Sequence, residues 1–181
     1  MSGADKSRGG SVRTAHKSPT LSKEEKKRMM VERMRKIYDS YDEDRYNKVY
    51  FDEETGGYVV EEKARHEKSL KSPNEKEKYE KEKGMCIDLA KRGFKIEHLD
   101  DSGWGYDIHM NKTSADLKKL SSANNIRRHA KHAVYDQKAE RVVFKFEKMN
   151  DSIHKELNKL TEKGIHGCYY VTGEEDVLRW F

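Results

Sequence analysis

The stretch from Gly105 to Lys118, GYDIHMNKTSADLK, constrains this chain more than any other, because its parity fixes which side chains share a face. Asn111-Lys112 reads as a two-residue turn, so Met110 pairs with Thr113 and, counting outward, Asp107 falls opposite Asp116. Alternation then puts Asp107, His109, Ser114, Asp116 and Lys118 on one face, and Ile108, Met110, Ala115 and Leu117 on the other. The second set predicts core. Two opposed carboxylates repel and cost stability unless a positive charge lies between them, so the pattern predicts a place for a divalent cation.

The neighbouring segments give this hairpin a context. Ser22 and Glu25 form a capping-box pattern, and Met30, Met34, Ile37, Tyr38 and Tyr41 recur at helical spacing to about Arg45. Val49 and Phe51, then Tyr58 and Val60, flank a glycine-containing turn at residues 52–57 and read as a short hairpin. From Ser72-Pro73-Asn74 onward, Asn74 is the expected cap of a helix carrying Tyr79, Glu82, Cys86 and Leu89 on one face and ending at Gly93. Phe94 to Leu99 alternates as a strand, and Asp100 to Gly103 is expected to turn the chain into the central hairpin. Ser121 to Asn125 caps a second helix with Ile126, Ala130, Ala133, Val134 and Gln137 at helical spacing and a basic flank of Arg127, Arg128, Lys131 and His132. A strand at residues 140–146, a helix at 151–163 ended by Gly164, and a last strand at 168–171 complete the order α-β-β-β-α-β-α-β.

Composition divides the chain. Charged residues make up 39% and hydrophobic ones 34%, with the polar excess concentrated before residue 70. Residues 1–20 read as a flexible basic arm, 21–71 as an accessory helix and hairpin, and 72–181 as the main domain. The net charge of +5 suits a polyanionic partner. Cys86 and Cys168 lie far apart with no metal-site spacing, and read as small buried hydrophobes. No apolar run reaches a membrane span and residues 1–10 have no apolar leader core, so action in the cytoplasm, or export without a cleaved signal, is expected.

Phosphodiester hydrolysis needs an activated water, charge stabilisation on the phosphorus oxygens and help for the leaving oxygen, all of which carboxylate-bound Mg²⁺ (or Mn²⁺) can supply. Lys118, on the same face as Asp116, is placed to orient the water or to offset developing charge. Asp-x-Lys alone is weak, since Glu24-Glu-Lys26 and Glu61-Glu-Lys63 have the same form without a partner carboxylate. With an αβββαβ order and the second acid one strand earlier, residues 73–171 resemble the PD-(D/E)XK nuclease superfamily, the restriction-endonuclease-like fold. More narrowly, Ala115-Asp-Leu-Lys118, Ser122 to Ile126 and Asp136-Gln-Lys-Ala139 look like the C-terminal nuclease domains of contact-dependent inhibition toxins and related phage and mobile-element toxins, several of which cleave tRNA. The resemblance implies an α/β fold with a mixed central sheet flanked by helices. It assigns Asp107 and Asp116 as metal-binding acids, Lys118 as the motif lysine and Glu82 as the helical acid completing the metal shell, and it implies a cognate immunity protein. Tyr106 stands where the motif's proline would be.

Each residue also has a plainer reading. Asp107, Asp116 and Lys118 could be a solvated hairpin face, and Glu82 an exposed helix charge among Glu75, Glu77 and Glu80, with Glu80 its alternate. Asn124 is a helix cap or a phosphate contact, Arg127 and Arg128 backbone contacts or solvated charge, and Gln137 a support for the lysine, a substrate contact or a half-exposed helix-end amide. His109 is a ligand, a proton carrier or a bystander, and Trp104 a base-stacking or a core aromatic. A nuclease acting on RNA, tRNA above all, or on DNA stands against a non-catalytic nucleic-acid-binding or assembly module on the same fold, and against a generic α/β protein.

Overall fold

A computed structural model describes residues 19–181; the predicted basic arm lies, except for its last two residues, outside the described residues. The chain forms a mixed α/β structure around one eight-stranded sheet whose strands lie side by side in sequence order. The strands are β1 (Tyr46–Phe51), β2 (Tyr58–Glu62), β3 (Lys95–His98), β4 (Ile108–Met110), β5 (Thr113–Leu120), β6 (Arg141–Phe146), β7 (Gly167–Val171) and β8 (Arg179–Trp180). Three contacts are parallel, β2–β3, β5–β6 and β6–β7, each bridged by a helical connection, and the others are antiparallel. The helices are α1 (Lys23–Asp39), α2 (Lys63–Ser69), α3 (Pro73–Ala90), α4 (Asp101–Trp104), α5 (Ile126–Lys131), which runs on into a π turn at His132–Asp136, and α6 (Asp151–Glu162).

The central hairpin forms in the register that parity predicts, Met110 with Thr113, His109 with Ser114 and Ile108 with Ala115. Asn111 and Lys112 both take positive φ, 49° and 70°, the conformation a two-residue hairpin turn needs to match strand twist. Ile108, Met110, Ala115 and Leu117 join Val59, Ile96, Val143 and the α3 residues Met85, Cys86 and Leu89 in one core. The opposite face packs Val142, Phe144 and Phe146 of β6 against Ile126 and Ala130 of α5 and Ile153, Leu157 and Leu160 of α6. A smaller core of Tyr38, Tyr58 and Val60, with Tyr46 and Phe51 of β1 packed against it, seats α1 on the β1–β2 end of the sheet. At Gly57 the chain passes so close to the end of α3 that a Cβ would stand 1.8 Å from the Ala90 carbonyl oxygen, which fixes β2 beside β3.

Several local expectations are corrected. The first helix has its capping box but stops at Asp39, not Arg45, because the Ser40 N–H and Oγ both bond back to the last turn and Asp42 starts a new one. Ser72, not Asn74, caps α3: Pro73 has no N–H to satisfy at the first helical position, and Ser72 Oγ accepts the Glu75 N–H at 3.2 Å. Asp100 to Gly103 does not simply turn; Asp100 caps the single helical turn α4. Asn124 is not a cap, since Asn125 holds that position in a non-extended backbone (φ −114°, ψ 2°) and its side chain makes no capping bond. Sequence reading missed α2 and β8, the first for lack of a periodic apolar stripe and the second for its length of two residues.

Candidate active site

Where β4 and β5 part, the sheet makes a fork. Backbone pairing ends at Ile108–Ala115, and the next β5 N–H facing β4, that of Leu117, donates to Asp107 Oδ2 at 2.8 Å. Asp107 thus takes over a ladder bond and is held at 2% exposure beside fully buried Asp116. Gly105, with φ +88°, makes the bend before it under the Gln137 carbonyl, where a Cβ would stand 3.0 Å away. Burial, and then the charges of Glu82 and adjoining Asp116, push the Asp107 carboxyl well above the usual carboxylate range, with Lys118 pulling the other way. Both carboxylate oxygens of Asp116 are buried without a well-aligned hydrogen bond, and their polar neighbours are the Asp107 carboxyl and the Lys118 ammonium. Lys118 Nζ lies 2.6 Å from Asp116 Oδ2 as an ion pair, but outside hydrogen-bonding angles, and its side chain keeps 20% exposure. Parity therefore brings Asp107, Asp116 and Lys118 together as expected.

Glu82 reaches the same region from α3, but in different company. Its Oε2 accepts from Arg65 Nη2 at 2.9 Å and Nε at 3.2 Å and lies 3.0 Å from His98 Nε2, while Lys78 Nζ stands 3.5 Å from Oε1. Burial alone would raise this carboxyl; His98, Lys78 and Arg65 outweigh it and hold it down at about 2. Arg65 is 1% exposed, lies over the Tyr79 ring and comes from α2. Lys78 and Lys68 also clamp Asp101 at 2.6 and 2.5 Å. Sequence reasoning missed Arg65, His98 and Lys78, and no local pattern marks Arg65. Glu80, the alternate acid, is exposed on another face of α3.

The other predicted residues spread outward from this fork. Asn124, Arg127 and Arg128 line an open groove between α5 and α6, joined there by Lys131, Lys155 and Lys159. Arg127 is committed to Glu156 at 3.1 Å. Gln137 is half-buried at the end of the π turn, and its Oε1 is enclosed without a donor. His109 bonds Tyr106 at 3.1 Å, and Trp104 is 42% exposed with its indole N–H on Glu62. His129 of α5, also missed, stands where burial, and next the charge of Lys118, lower its pKa.

Among the described residues no three Asp, Glu, His or Cys side chains converge in a metal-holding array. Two carboxylates do converge, and Mg²⁺ is commonly held by one or two carboxylates with water and phosphate completing the shell. The buried oxygens of Asp116, next to a second carboxyl whose ionisation is opposed, are donors that fit a hard cation on chemical grounds. Among the described residues no helix is long and apolar enough to cross a membrane.

No protein-family model matches the chain, and no curated protein does. Among solved structures, the chain is similar to a CdiA-CT/CdiI toxin and immunity complex from Burkholderia pseudomallei, at 14% identity and a TM-score of 0.49, over 62% of this chain and 89% of that one.

Proposed function

We propose that the protein is a divalent-metal-dependent nuclease, most like the toxin-type ribonucleases that its motifs resemble, with a cognate immunity protein as the expected partner. The observation behind this reading is that fully buried Asp116 adjoins a second buried carboxyl, Asp107, with Lys118 as the cation beside the pair, 2.6 Å from Asp116 Oδ2. Two adjoining buried carboxyls that share one lysine are costly for a fold to carry, and a bound cation would offset that cost.

In this mechanism Asp107 and Asp116 would hold Mg²⁺, which would supply charge neutralisation for the phosphoryl oxygens and lower the pKa of water. Asp107 is positioned by the Leu117 N–H and cannot swing away from the fork. Lys118 keeps its ammonium at the solvent-facing mouth, where it orients the attacking water or offsets charge on the phosphorane. Glu82 leaves only Oε1 for the site, because Arg65 and His98 take Oε2, and it acts on Asp107 mainly through its charge. Arg65 and His98 are positioning residues.

The test is cleavage of total RNA and plasmid DNA in parallel by the purified chain, with Mg²⁺ and with EDTA. Asp116→Ala and Lys118→Ala are each expected to cut slower by about a hundredfold to ten-thousandfold, with circular dichroism confirming that they fold. Folded variants that cut like wild type would overturn the reading. The uncommitted basic surface on α5 favours a second reading, a non-catalytic nucleic-acid-binding module, for which binding is salt-sensitive and indifferent to Mg²⁺ and to Asp116→Ala.

A further inference from the structure

We infer that the α5–α6 surface is a track for a single-stranded polynucleotide, leading away from the fork and gripping phosphates several nucleotides from the bond to be cut. The inference rests on the nuclease reading for its starting point. Two depressions adjoin along α5, one of about 730 Å³ against α6 and one of about 540 Å³ over the π turn, and they share Arg128 and Lys131. The second includes His129 of α5, and α5 seats Ile126 and Ala130 on Val142 and Phe144, the β6 partners in register with Asp116 and Lys118, so the path begins on the sheet face next to the fork.

Charge along this path is one-sided. Arg128, Lys131 and Lys155 are exposed and form no ion pair or hydrogen bond among the described residues. The carboxylates present are already engaged, Glu156 by Arg127 at 3.1 Å and Lys159 at 2.7 Å, and Asp136 by His132 at 2.7 Å. Unpaired cations brought together by two helices repel one another, and a chain of phosphates removes that cost while releasing its own counterions. Tyr135, 52% exposed on the wall of the second depression, adds an aromatic face. Cations interleaved with an aromatic platform fit a single strand, whose bases are free to stack.

The test is fluorescence anisotropy with an end-labelled oligonucleotide of about 12 nucleotides, as RNA and as DNA of the same sequence, in EDTA between about 50 and 200 mM salt. Wild type is expected to bind with a steep salt dependence, and the stronger arm names the nucleic acid. Lys131→Ala/Lys155→Ala should weaken binding about tenfold and flatten the slope of log K against log salt by about 1.4, the equivalent of two phosphate contacts on a single strand. Tyr135→Ala should weaken binding about tenfold with the slope unchanged. Lys26→Ala/Lys27→Ala on exposed α1, at the other end of the sheet, removes the same charge and should change neither. No binding by wild type, or equal effects of the α5–α6 and α1 pairs, would overturn the track. Because EDTA suppresses cleavage, binding that meets these expectations while Mg²⁺ produces no cutting would break the nuclease reading and leave the track standing.

Discussion

Two clusters of buried carboxylates share the region between α3 and the central hairpin, and they are built on opposite plans. Glu82 is surrounded by Arg65, His98 and Lys78, so its charge is matched and its carboxyl ionises readily. Asp107 and Asp116 have between them one backbone N–H and one lysine at the mouth, and Asp107 resists ionisation. The first plan describes a structural support, closed and balanced. The second leaves two adjoining carboxyls short of positive charge. Within one protein the contrast separates a carboxylate whose charge is matched from a pair whose charge is not.

The largest effect is expected from unbalancing the Glu82 cluster. Arg65→Ala strands Glu82 beside His98 in the interior, and loss of one partner of a buried pair costs about 3–5 kcal/mol. Urea unfolding measures it; a loss under about 1 kcal/mol would mean that Arg65 is dispensable to the support. Acid probes the same cluster without mutation. Glu82 is held at about 2 against an ordinary 4.5, so its stabilisation, on the order of 3 kcal/mol, is fully present above pH 4.5 and is lost as pH falls toward 2. Glu82→Gln should flatten that acid limb, and an unchanged limb would assign it to other carboxylates. If the unbalanced cluster holds a metal, as proposed, its stability should respond to one. Mg²⁺ at a hundred times its Kd should stabilise wild type by about 2.7 kcal/mol and leave Asp116→Asn unmoved. Equal stabilisation of both would place the metal elsewhere.

How much of this was legible in the sequence follows from how local each cause is. Asp107, Asp116 and Lys118 share a fork because a two-residue turn and strand alternation act within a dozen residues, and these rules leave one register. Glu82 is legible as a member of the buried face of α3. Its partners are not: Arg65 and His98 stand 17 and 16 residues away, on a helix without an apolar stripe and on a strand whose place beside β2 is set by a parallel crossover. The α6 lysines beside Arg128 were illegible for the same reason, since helix packing, not spacing, brings them there. The caps at Ser72 and Asn125 turned on backbone details of one residue, which composition does not carry.

The smallest expected effect falls on Asp107. Asp107→Asn keeps an oxygen for the Leu117 N–H and removes a carboxyl whose ionisation burial, Glu82 and Asp116 oppose. The sign follows from linkage: folded Asp107 holds its proton to higher pH than the unfolded chain, so its contribution to stability falls as pH climbs above the ordinary value of 3.8. At pH 7 and without metal the substitution should therefore stabilise the protein, by about 1 kcal/mol, while removing cleavage. At a pH near 3.5 the carboxyl is largely protonated in both states and the gain should shrink toward zero. Unfolding curves of the two proteins at both pH values decide the matter: a gain that is absent at pH 7, or equal at both, would mean that the fork carries no unmet negative charge. The two clusters would then differ in their neighbours but not in what those neighbours do.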